Sequence, residues 1–308
     1  MTDQFTFSGQ PPQKPGAGRR SYLAPILIIL AIVVVLAGGV GLMVHLISAS
    51  SFGQSVGVVE IEGTIFDSKP IIQTLRRFGK EDNIKAILLR IDSPGGSVAA
   101  TQEIYTELLR FRGKKPIIAS LGTVAASGGL YVAAAADKIV ANPATVTGSI
   151  GAIMQTYNVE NLLGKVGFQS VVIKSGRYKD IGSPTRPMTP EELALLQEIV
   201  NELKDQFVQD LAKGRGLEKE KVAAVADGRI FTAVTAHKLG LVDSLGNFED
   251  AVETARKEAG LEKRPRLIYP EKKESWIREL IQGRSPLGEW PASLRSGPSF
   301  LYLYAPGL

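Results

Sequence analysis

Apolar and polar positions divide the chain into four stretches of different character. Residues 1–20 are polar, rich in proline and glycine and end in a basic pair, which is typical of a disordered tail. Residues 21–50 contain an uninterrupted apolar run. Short aliphatic runs then alternate with amphipathic ones over residues 51–262, and residues 263–308 form an extension of mixed pattern.

The apolar run predicts one transmembrane helix, because it exceeds the ~20 residues that a helix needs to cross a bilayer. A secretory signal has a shorter apolar core of roughly 7–15 residues before a small-residue cleavage site. Residues 48–50 imitate such a site, but the length of the run favours a retained anchor. Basic residues precede the run, and the nearest charge after it is Glu60. We therefore expect the tail on the cytoplasmic side and the following domain on the outer face of the membrane.

The alternating stretch predicts an α/β domain of repeated strand–helix units. The runs VGVVEIEG, KAILLRIDSPGG and PIIASLG are short, rich in β-branched residues and bounded by Gly or Pro, as buried strands are. Helical patterns cover residues 68–83, 97–113 and 190–216, and a glycine is interpreted as the stop of the first. No repeat of 20–50 residues is visible, so one domain is expected.

The extension carries two further apolar patterns. ESWIRELI places Trp276, Ile277, Leu280 and Ile281 on one helical face, which is typical of a helix docked on a domain. The end of the chain, PSFLYLYAPGL, is apolar, and we expect it to pack against the domain or a neighbouring copy.

Composition limits the chemistry of the chain. Among its 308 residues there is no cysteine and there are two histidines, which excludes thiol catalysis, disulfides and histidine-rich zinc sites. The formal charge of +5 is spread over mixed-sign segments without a basic, aromatic-interleaved stripe, so no nucleic-acid partner is expected. A nucleophile in this chain is therefore expected to be a hydroxyl.

Two glycine-rich turns each follow a predicted strand and precede a helix. DSPGGS (Asp92–Ser97) and AASGGLYVAAAA (Ala125–Ala136) both leave backbone N–H groups unpaired at a helix start. Two such groups from neighbouring turns would make an oxyanion hole, although a phosphate-binding loop or plain tight turns fit the same pattern. Neither has the Walker order G-x-x-x-x-G-K-[ST]. Ser127 lies in the second turn among alanines and glycines, where an extended peptide can approach closely.

A nucleophilic serine needs a base, and few candidates exist. His237 lies among core-like apolar residues in TAHKLGLVD and is interpreted as structural. A lysine or a carboxylate remains, and a lysine can act where burial lowers its pKa from about 10.4. Lys179 in SGRYKDIGSP is one candidate, although loop lysines are usually solvated.

Four linked segments resemble the signal peptide peptidase A family of membrane-anchored bacterial serine–lysine peptidases. They are DSPGGS, AASGGLYVAAAADKIVANPATVTGSIG, SGRYKDIGSPTRPMTPEE and DGRIFTAVTAHKLGLVDSLG, and the resemblance covers about residues 56–259. It implies a fold like that of the Clp proteolytic subunit and the crotonases. Two positions depart from the family pattern: Ala233 replaces a usual glycine, and Leu130 stands where an aromatic residue is frequent.

The resemblance assigns a role to each site residue. It implies that Ser127 is the nucleophile, that Lys179 is the general base and that the Ser149 hydroxyl forms a hydrogen bond with the lysine amine. It also implies that the backbones of Gly95, Gly96 and Gly128 form the oxyanion hole. Since the chain has one catalytic copy, Ser127 and Lys179 are expected from a single domain.

The expected function is membrane-anchored endopeptidase activity on remnant signal peptides and other apolar peptides with small side chains next to the scissile bond. No metal or organic cofactor is implied. The resemblance implies a homo-oligomer, by analogy an octamer, at the bacterial cytoplasmic membrane. The alternatives are a related peptidase that cuts membrane-protein tails, a catalytically silent crotonase-like scaffold and an acyl-CoA site. A silent scaffold need not keep all three site side chains, and no adenine or phosphate motif is evident.

Overall fold

The computed structural model describes residues 23–51, 54–270 and 300–304. The predicted polar tail and the predicted amphipathic helix around Trp276 lie outside these residues. The chain divides into two compact units, Met1–Phe52 and Gly53–Leu308.

In its described part the first unit is helix α1 (Leu23–Ser51), which exposes the large apolar side chains of Ile28, Leu30, Ile32, Val33, Val34, Val35, Leu36, Val40, Leu42 and Met43. Within the described residues, no helix meets both the length and the hydropathy that a membrane crossing needs. The transmembrane anchor therefore stays a prediction.

The second unit combines short and long elements. Its strands, in the described residues, are β1 (Ser55–Glu62), β2 (Ile84–Ser93), β3 (Gly95–Ser97), β4 (Ile117–Ala126), β5 (Lys138–Ala141), β6 (Val146–Gly148), β7 (Ile153–Met154), β8 (Ile230–Thr232), β9 (Ser244–Leu245), β10 (Arg266–Ile268) and β11 (Phe300–Leu303). Its helices there are α2 (Lys69–Lys80), α3 (Val98–Leu109), α4 (Gly128–Ala133), α5 (Glu160–Lys165), α6 (Pro190–Arg215), α7 (Lys219–Ala223), α8 (Ala233–Lys238) and α9 (Phe248–Glu258).

The main sheet is mostly parallel and runs in the order β10-β1-β2-β4-β5-β9. β6 continues the sheet beside the end of β4, and β8 pairs antiparallel with β6. The central strands are buried almost throughout, because helices cover both faces of a parallel sheet. On one face Val56, Val58 and Leu88 pack against Ala251 and Val252 of α9. The larger core lies on the other face, under α2, α3, α4 and α6.

The predicted strands and helices of the α/β domain are confirmed, with one correction. The glycine interpreted as the stop of the first helix, Gly79, lies inside α2, which ends at Lys80. A Cβ on Gly79 would lie 2.1 Å from the ring of Phe111, so the position is small because a ring packs on it. The predicted helix at 190–216 is α6, with a capping box at Thr189 and Glu192.

A second, small antiparallel sheet joins distant parts of the chain in the order β3-β11-β7. Its middle strand, β11, comes from the apolar end of the chain. Of the two expected packing partners, the domain and a neighbouring copy, the structure shows the domain. This sheet lies beside the turn that follows β2, where the candidate site is found.

Candidate active site

Ser127 lies at the junction of β4 and α4. Its backbone has φ +52° and ψ −117°, a region that non-glycine residues rarely adopt. The Ser127 N–H donates to the Gly148 carbonyl at 2.8 Å, and the Ser127 carbonyl accepts the Tyr131 N–H at 2.9 Å. The residue is 1% exposed, and its hydroxyl has no hydrogen-bond partner among the described residues. The fold thus holds an available hydroxyl on a strained turn at the carboxyl end of a strand.

Ser149 follows the neighbouring strand in a similar way. β6 pairs parallel with β4, and Ala126 lies opposite Gly148, so the two residues that follow these strands are neighbours. Ser149 also has φ +52°, is 8% exposed and donates its N–H to the Arg229 carbonyl at 2.8 Å. The structure brings the two predicted serines to the same edge of the sheet.

The turn after β2 brings Gly95 against Gly128. A Cβ on Gly95 would lie only 2.6 Å from the Gly128 nitrogen, and Gly95 has φ +104°. The Ser93 hydroxyl holds this turn, since it donates to the Gly63 carbonyl at 2.6 Å and accepts the Gly95 N–H at 3.1 Å. The N–H of Gly95 is therefore already used within its own turn.

Strand β11 crosses the same edge between β3 and β7. Tyr302 lies opposite Gly96, and the Tyr304 N–H donates to the Pro94 carbonyl at 2.7 Å. Hydrogen-bonded pairs alternate along an antiparallel ladder, so Tyr302 and Gly96 form the next such pair. The Gly96 N–H accordingly points at the Tyr302 carbonyl oxygen.

The Tyr302 carbonyl oxygen lies among the three predicted oxyanion-hole glycines. Besides facing Gly96, it is 2.0 Å from the Cβ that a side chain on Gly95 would carry and 3.1 Å from the corresponding Cβ on Gly128. A Cβ on Gly96 would point elsewhere, 2.1 Å from the carbonyl oxygen of Ile65. Gly95 and Gly128 are therefore the positions where a side chain would enter the space around this carbonyl.

The Tyr302 side chain fills an aromatic pocket that the sequence did not reveal. Tyr302 is 0% exposed, stacks on Tyr131 with ring centroids 5.3 Å apart and lies 4.8 Å from the ring of Phe207. Its hydroxyl donates to the Leu203 carbonyl at 2.6 Å, and the Tyr131 hydroxyl donates to Asp210. Burial raises the pKa of both phenols, so both stay protonated donors at neutral pH. The expectation of small side chains around the site does not describe this pocket.

Lys179 lies on an exposed segment between β7 and α6. The backbone N–H of Lys179 donates to the Gly176 carbonyl at 3.2 Å. Its side-chain amine has no hydrogen bond or ion pair with any described residue. The structure thus joins Lys179 to neither predicted serine in this copy of the chain, and the predicted Ser127–Lys179 pair stays a prediction. Large apolar side chains are also exposed along this segment: Tyr157, Leu162, Val166, Phe168, Val171, Val172 and Ile173.

An ion-pair network fastens the end of this segment to α6. Arg186 donates to Asp180 at 2.8 Å and to Glu192 at 2.8 Å. The Arg186 hydrogen bonds are the largest cause of the low pKa values of both carboxyls, and the pKa of Glu192 falls to about 2. The residue next to Lys179 is thereby held in place while Lys179 itself is exposed.

The remaining singled-out residues are His237 in α8, Ala233 at the start of α8 and Leu130 in α4. His237, in α8, is exposed, and its Nδ1 lies 2.9 Å from the Val242 carbonyl oxygen, to which we assign an N–H donation. Ala233 and Leu130, the two departures from the family pattern, are both 0% exposed and belong to the large core. They affect packing rather than the exposed lining of the site.

Comparisons with known proteins find peptidases similar to this chain. The model of Peptidase family S49 matches residues 110–262, and that of Clp protease matches residues 58–147. A candidate protease of Synechocystis is 44% identical over 241 residues, which are 77% of this chain and 87% of that protein. The chloroplastic serine protease SPPA of Arabidopsis thaliana is 32% identical over 80% of this chain and 37% of its own length. Protease 4 of Salmonella typhi is 35% identical over 68% of this chain and 35% of its own length.

Proposed function

Because the chain belongs to peptidase family S49 and is a serine peptidase, we propose that it is a membrane-anchored endopeptidase that cuts apolar peptides, remnant signal peptides among them. One observation carries this proposal. A peptide strand, β11, lies antiparallel beside the Ser127 turn with one carbonyl oxygen directed at glycine backbone. A substrate that adds a strand in this way presents its carbonyl to the nucleophile.

The proposed reaction begins with attack of Ser127 Oγ on the carbonyl carbon of the scissile bond, while the neutral amine of Lys179 takes the hydroxyl proton. The carbonyl oxygen becomes an oxyanion that the N–H groups of Gly96 and Gly128 stabilise. Lys179 then gives the proton to the leaving amine, and water hydrolyses the acyl-enzyme. Ser149 holds the lysine amine by a hydrogen bond. The N–H of Gly95 is bonded to the Ser93 hydroxyl and is not free to donate to the oxyanion. The role of Gly95 is instead to leave space for the oxyanion, because it has no side chain.

In this proposal the lysine is supplied by assembly of a homo-oligomer, which replaces the expectation that Ser127 and Lys179 come from a single domain. Lys179 lies beside exposed apolar residues such as Ile173, which is 97% exposed. Exposed apolar patches of this kind mark surfaces that bind another protein, and we infer that this one binds a second copy of the chain. We place the Lys179 of one copy beside the Ser127 of its neighbour in such an oligomer. The expected octamer is an analogy with the family.

The membrane anchor is part of the proposal. The apolar run over residues 21–50 and the basic residues before it support a single-pass helix with the amino terminus inside. The peptidase domain then faces the outer side, where apolar peptides left in the bilayer are within reach.

Labelling with a serine-reactive fluorophosphonate, followed by mass mapping, tests the nucleophile. Label should appear on Ser127 and disappear in Ser127→Ala. It should persist in Ser149→Ala, a matched control because that serine has the same φ at the same sheet edge. Label on another serine would refute the assignment.

Mixing two inactive variants tests the shared site. Oligomers assembled from Ser127→Ala and Lys179→Ala chains should regain turnover of an apolar peptide, because some sites then combine an intact serine with an intact lysine. Mixed oligomers without any activity, alongside active wild type, would show that both residues act within one copy.

A further inference from the structure

We propose that Arg186 is a positioning residue of this peptidase, which fixes the backbone beside Lys179 and so sets where the base is presented to the serine. This inference rests on the proposed function, in which Lys179 takes the proton of Ser127. Arg186 acts through Asp180, the residue that follows Lys179 in the chain.

The segment that carries Lys179 has little buried surface of its own. Residues 157–179 are mostly exposed, and α5, which lies within them, has no buried residue. Within the described residues, the side chains of this segment that bond to α6 are those of Arg177 and Arg186. A segment with few buried apolar contacts opens easily, so these polar contacts decide where it lies.

Arg186 bridges Asp180 to α6. Its Nε donates to the Asp180 carboxylate at 2.8 Å, and its Nη2 donates to the Asp180 backbone carbonyl at 3.2 Å. Its Nη1 donates to Glu192 at 2.8 Å. Glu192 is 3% exposed in the first turn of α6, and a later turn of this helix reaches the large core at Phe207. The position of a buried helix is thereby passed to the main chain next to Lys179.

This arrangement fixes the backbone of Lys179 and leaves its amine free. Consecutive Cα atoms are about 3.8 Å apart, so holding Asp180 also confines the Cα atom from which the Lys179 side chain starts. The amine itself has no hydrogen bond or ion pair with any described residue. The side chain can therefore extend from a fixed origin towards the Ser127 of a neighbouring copy.

The cluster around Asp180 is balanced in charge. Lys174 and Arg186 supply two positive charges, and Asp180 and Glu192 supply two negative ones. The bonds of Arg186 thus place Lys179 without adding a net charge beside it. Loss of Arg186 should accordingly act on the position of the base.

Steady-state kinetics on a fluorogenic apolar peptide separates positioning from substrate binding. In full-length Arg186→Gln we expect kcat to fall about 100-fold, because a reacting group displaced by 1 Å costs about that much. KM should stay within about twofold, since Arg186 acts on the base and not on the substrate. Arg186→Lys keeps the charge but lacks the planar fork that reaches two carboxylates, so its kcat should lie between those of wild type and Arg186→Gln.

Arg177→Gln is the matched control. It breaks the 3.5 Å ion pair with Glu191, which lies in the same turn of α6 as Glu192. The two side chains of this pair are 66% and 57% exposed, and exposed ion pairs contribute little. The kcat of Arg177→Gln should stay within about twofold of wild type.

Mixed oligomers show which catalytic residue the substitution disables. Arg186→Gln chains still supply an intact Ser127, so mixing them with Ser127→Ala chains, which supply a well-placed Lys179, should restore turnover. Mixing them with Lys179→Ala chains should not, because neither chain then supplies a well-placed lysine. Size-exclusion chromatography of differently tagged chains checks that each mixture assembles.

Three results would overturn the inference: wild-type kcat in Arg186→Gln, restored turnover with Lys179→Ala in place of Ser127→Ala chains, or no restoration in either mixture of folded, assembled chains. The last result would show a general structural role. If circular dichroism shows that Arg186→Gln is unfolded, Asp180→Asn replaces it, since the amide keeps the size and loses the charge, and the same pattern is expected.

Failure of the proposed function gives different results. A silent mixture of Ser127→Ala and Lys179→Ala chains beside an active wild type would refute the shared site, and the kcat values of Arg186→Gln and Arg177→Gln would then decide the role of Arg186. Equal values would overturn it. Wild type without turnover would refute the peptidase proposal, and this inference with it.

Discussion

One methyl group at Gly95 should inactivate the enzyme and leave its fold intact. The Cβ of Gly95→Ala would lie 2.0 Å from the Tyr302 carbonyl oxygen and 2.6 Å from the Gly128 nitrogen, whereas real Cβ atoms stay at least 3.0 Å from such atoms. A peptide carbonyl held at this position must therefore move by at least 1.0 Å (3.0 − 2.0). Misplacing a reacting group by 1 Å costs about 100-fold in rate, or ~2.7 kcal/mol of transition-state stabilisation.

The same substitution also strains the backbone, and a matched control separates the two effects. Alanine at φ +104° costs about 1–3 kcal/mol of folding free energy. Gly113 has φ +76° with nothing within 4 Å of its Cβ position, and it lies in an exposed turn after α3. Gly113→Ala thus carries comparable strain without the collision at the site.

The assay combines kcat/KM on a fluorogenic apolar peptide with thermal unfolding followed by circular dichroism. We expect Gly95→Ala to keep about 1% of wild-type kcat/KM, and Gly113→Ala to stay within about twofold of wild type. Both should unfold cooperatively at somewhat lower temperature. A folded Gly95→Ala enzyme with more than about a tenth of wild-type activity would refute the placement of the scissile carbonyl.

Three further substitutions test the base and the segment that carries it. Lys179→Arg should be inactive at every pH, because a guanidinium stays protonated and cannot take the serine proton; an active, folded variant in a pH–rate profile would contradict the mechanism. His237→Gln should keep wild-type kcat/KM, since the ring contacts the Val242 carbonyl, which follows α8, and loss of activity in a folded variant would place it in the site. The pKa of Glu192 is lowered from 4.5 to about 2, so its stabilising effect is present above pH 4.5 and is lost as the pH falls towards 2. Thermal midpoints between pH 7 and 2 should therefore decline less for Glu192→Gln than for wild type or for the exposed Glu198→Gln on the same helix; parallel declines would mean that the Arg186 pair does not stabilise the fold.

The periodicity of the chain is sufficient to predict the long elements of the sheet. β1, β2 and β4 are continuous apolar runs because helices cover both faces of the sheet, and α6 has proline at its start and glycine after its end. β7 and β9 have two residues each, which is too short to carry any period. Such strands exist because tertiary contacts form them.

One part of the site can be predicted from local sequence patterns, and the other part depends on contacts between residues far apart in the chain. Ser127 and its glycines are recognisable because the turn needs small residues at fixed spacing. The position of Tyr302 opposite Gly96 joins residues 206 apart (302 − 96), and no local pattern predicts such a pairing. The alternation in FLYLY indicates a strand, but it does not name a partner strand. The surroundings of Lys179 likewise depend on what packs on its exposed segment.

The backbone at Ser127 sets catalysis against stability. A side chain at φ +52° and ψ −117° costs about 1–3 kcal/mol, which glycine would avoid. The Ser127→Gly variant, which lacks the nucleophile, is therefore expected to be more stable than the active enzyme. In a gene copy released from selection for peptidase activity, replacing Ser127 by glycine increases the stability of the fold, and restoring the serine decreases it. Inactive descendants of this fold should accordingly be long-lived, and their reversion to active peptidases rare.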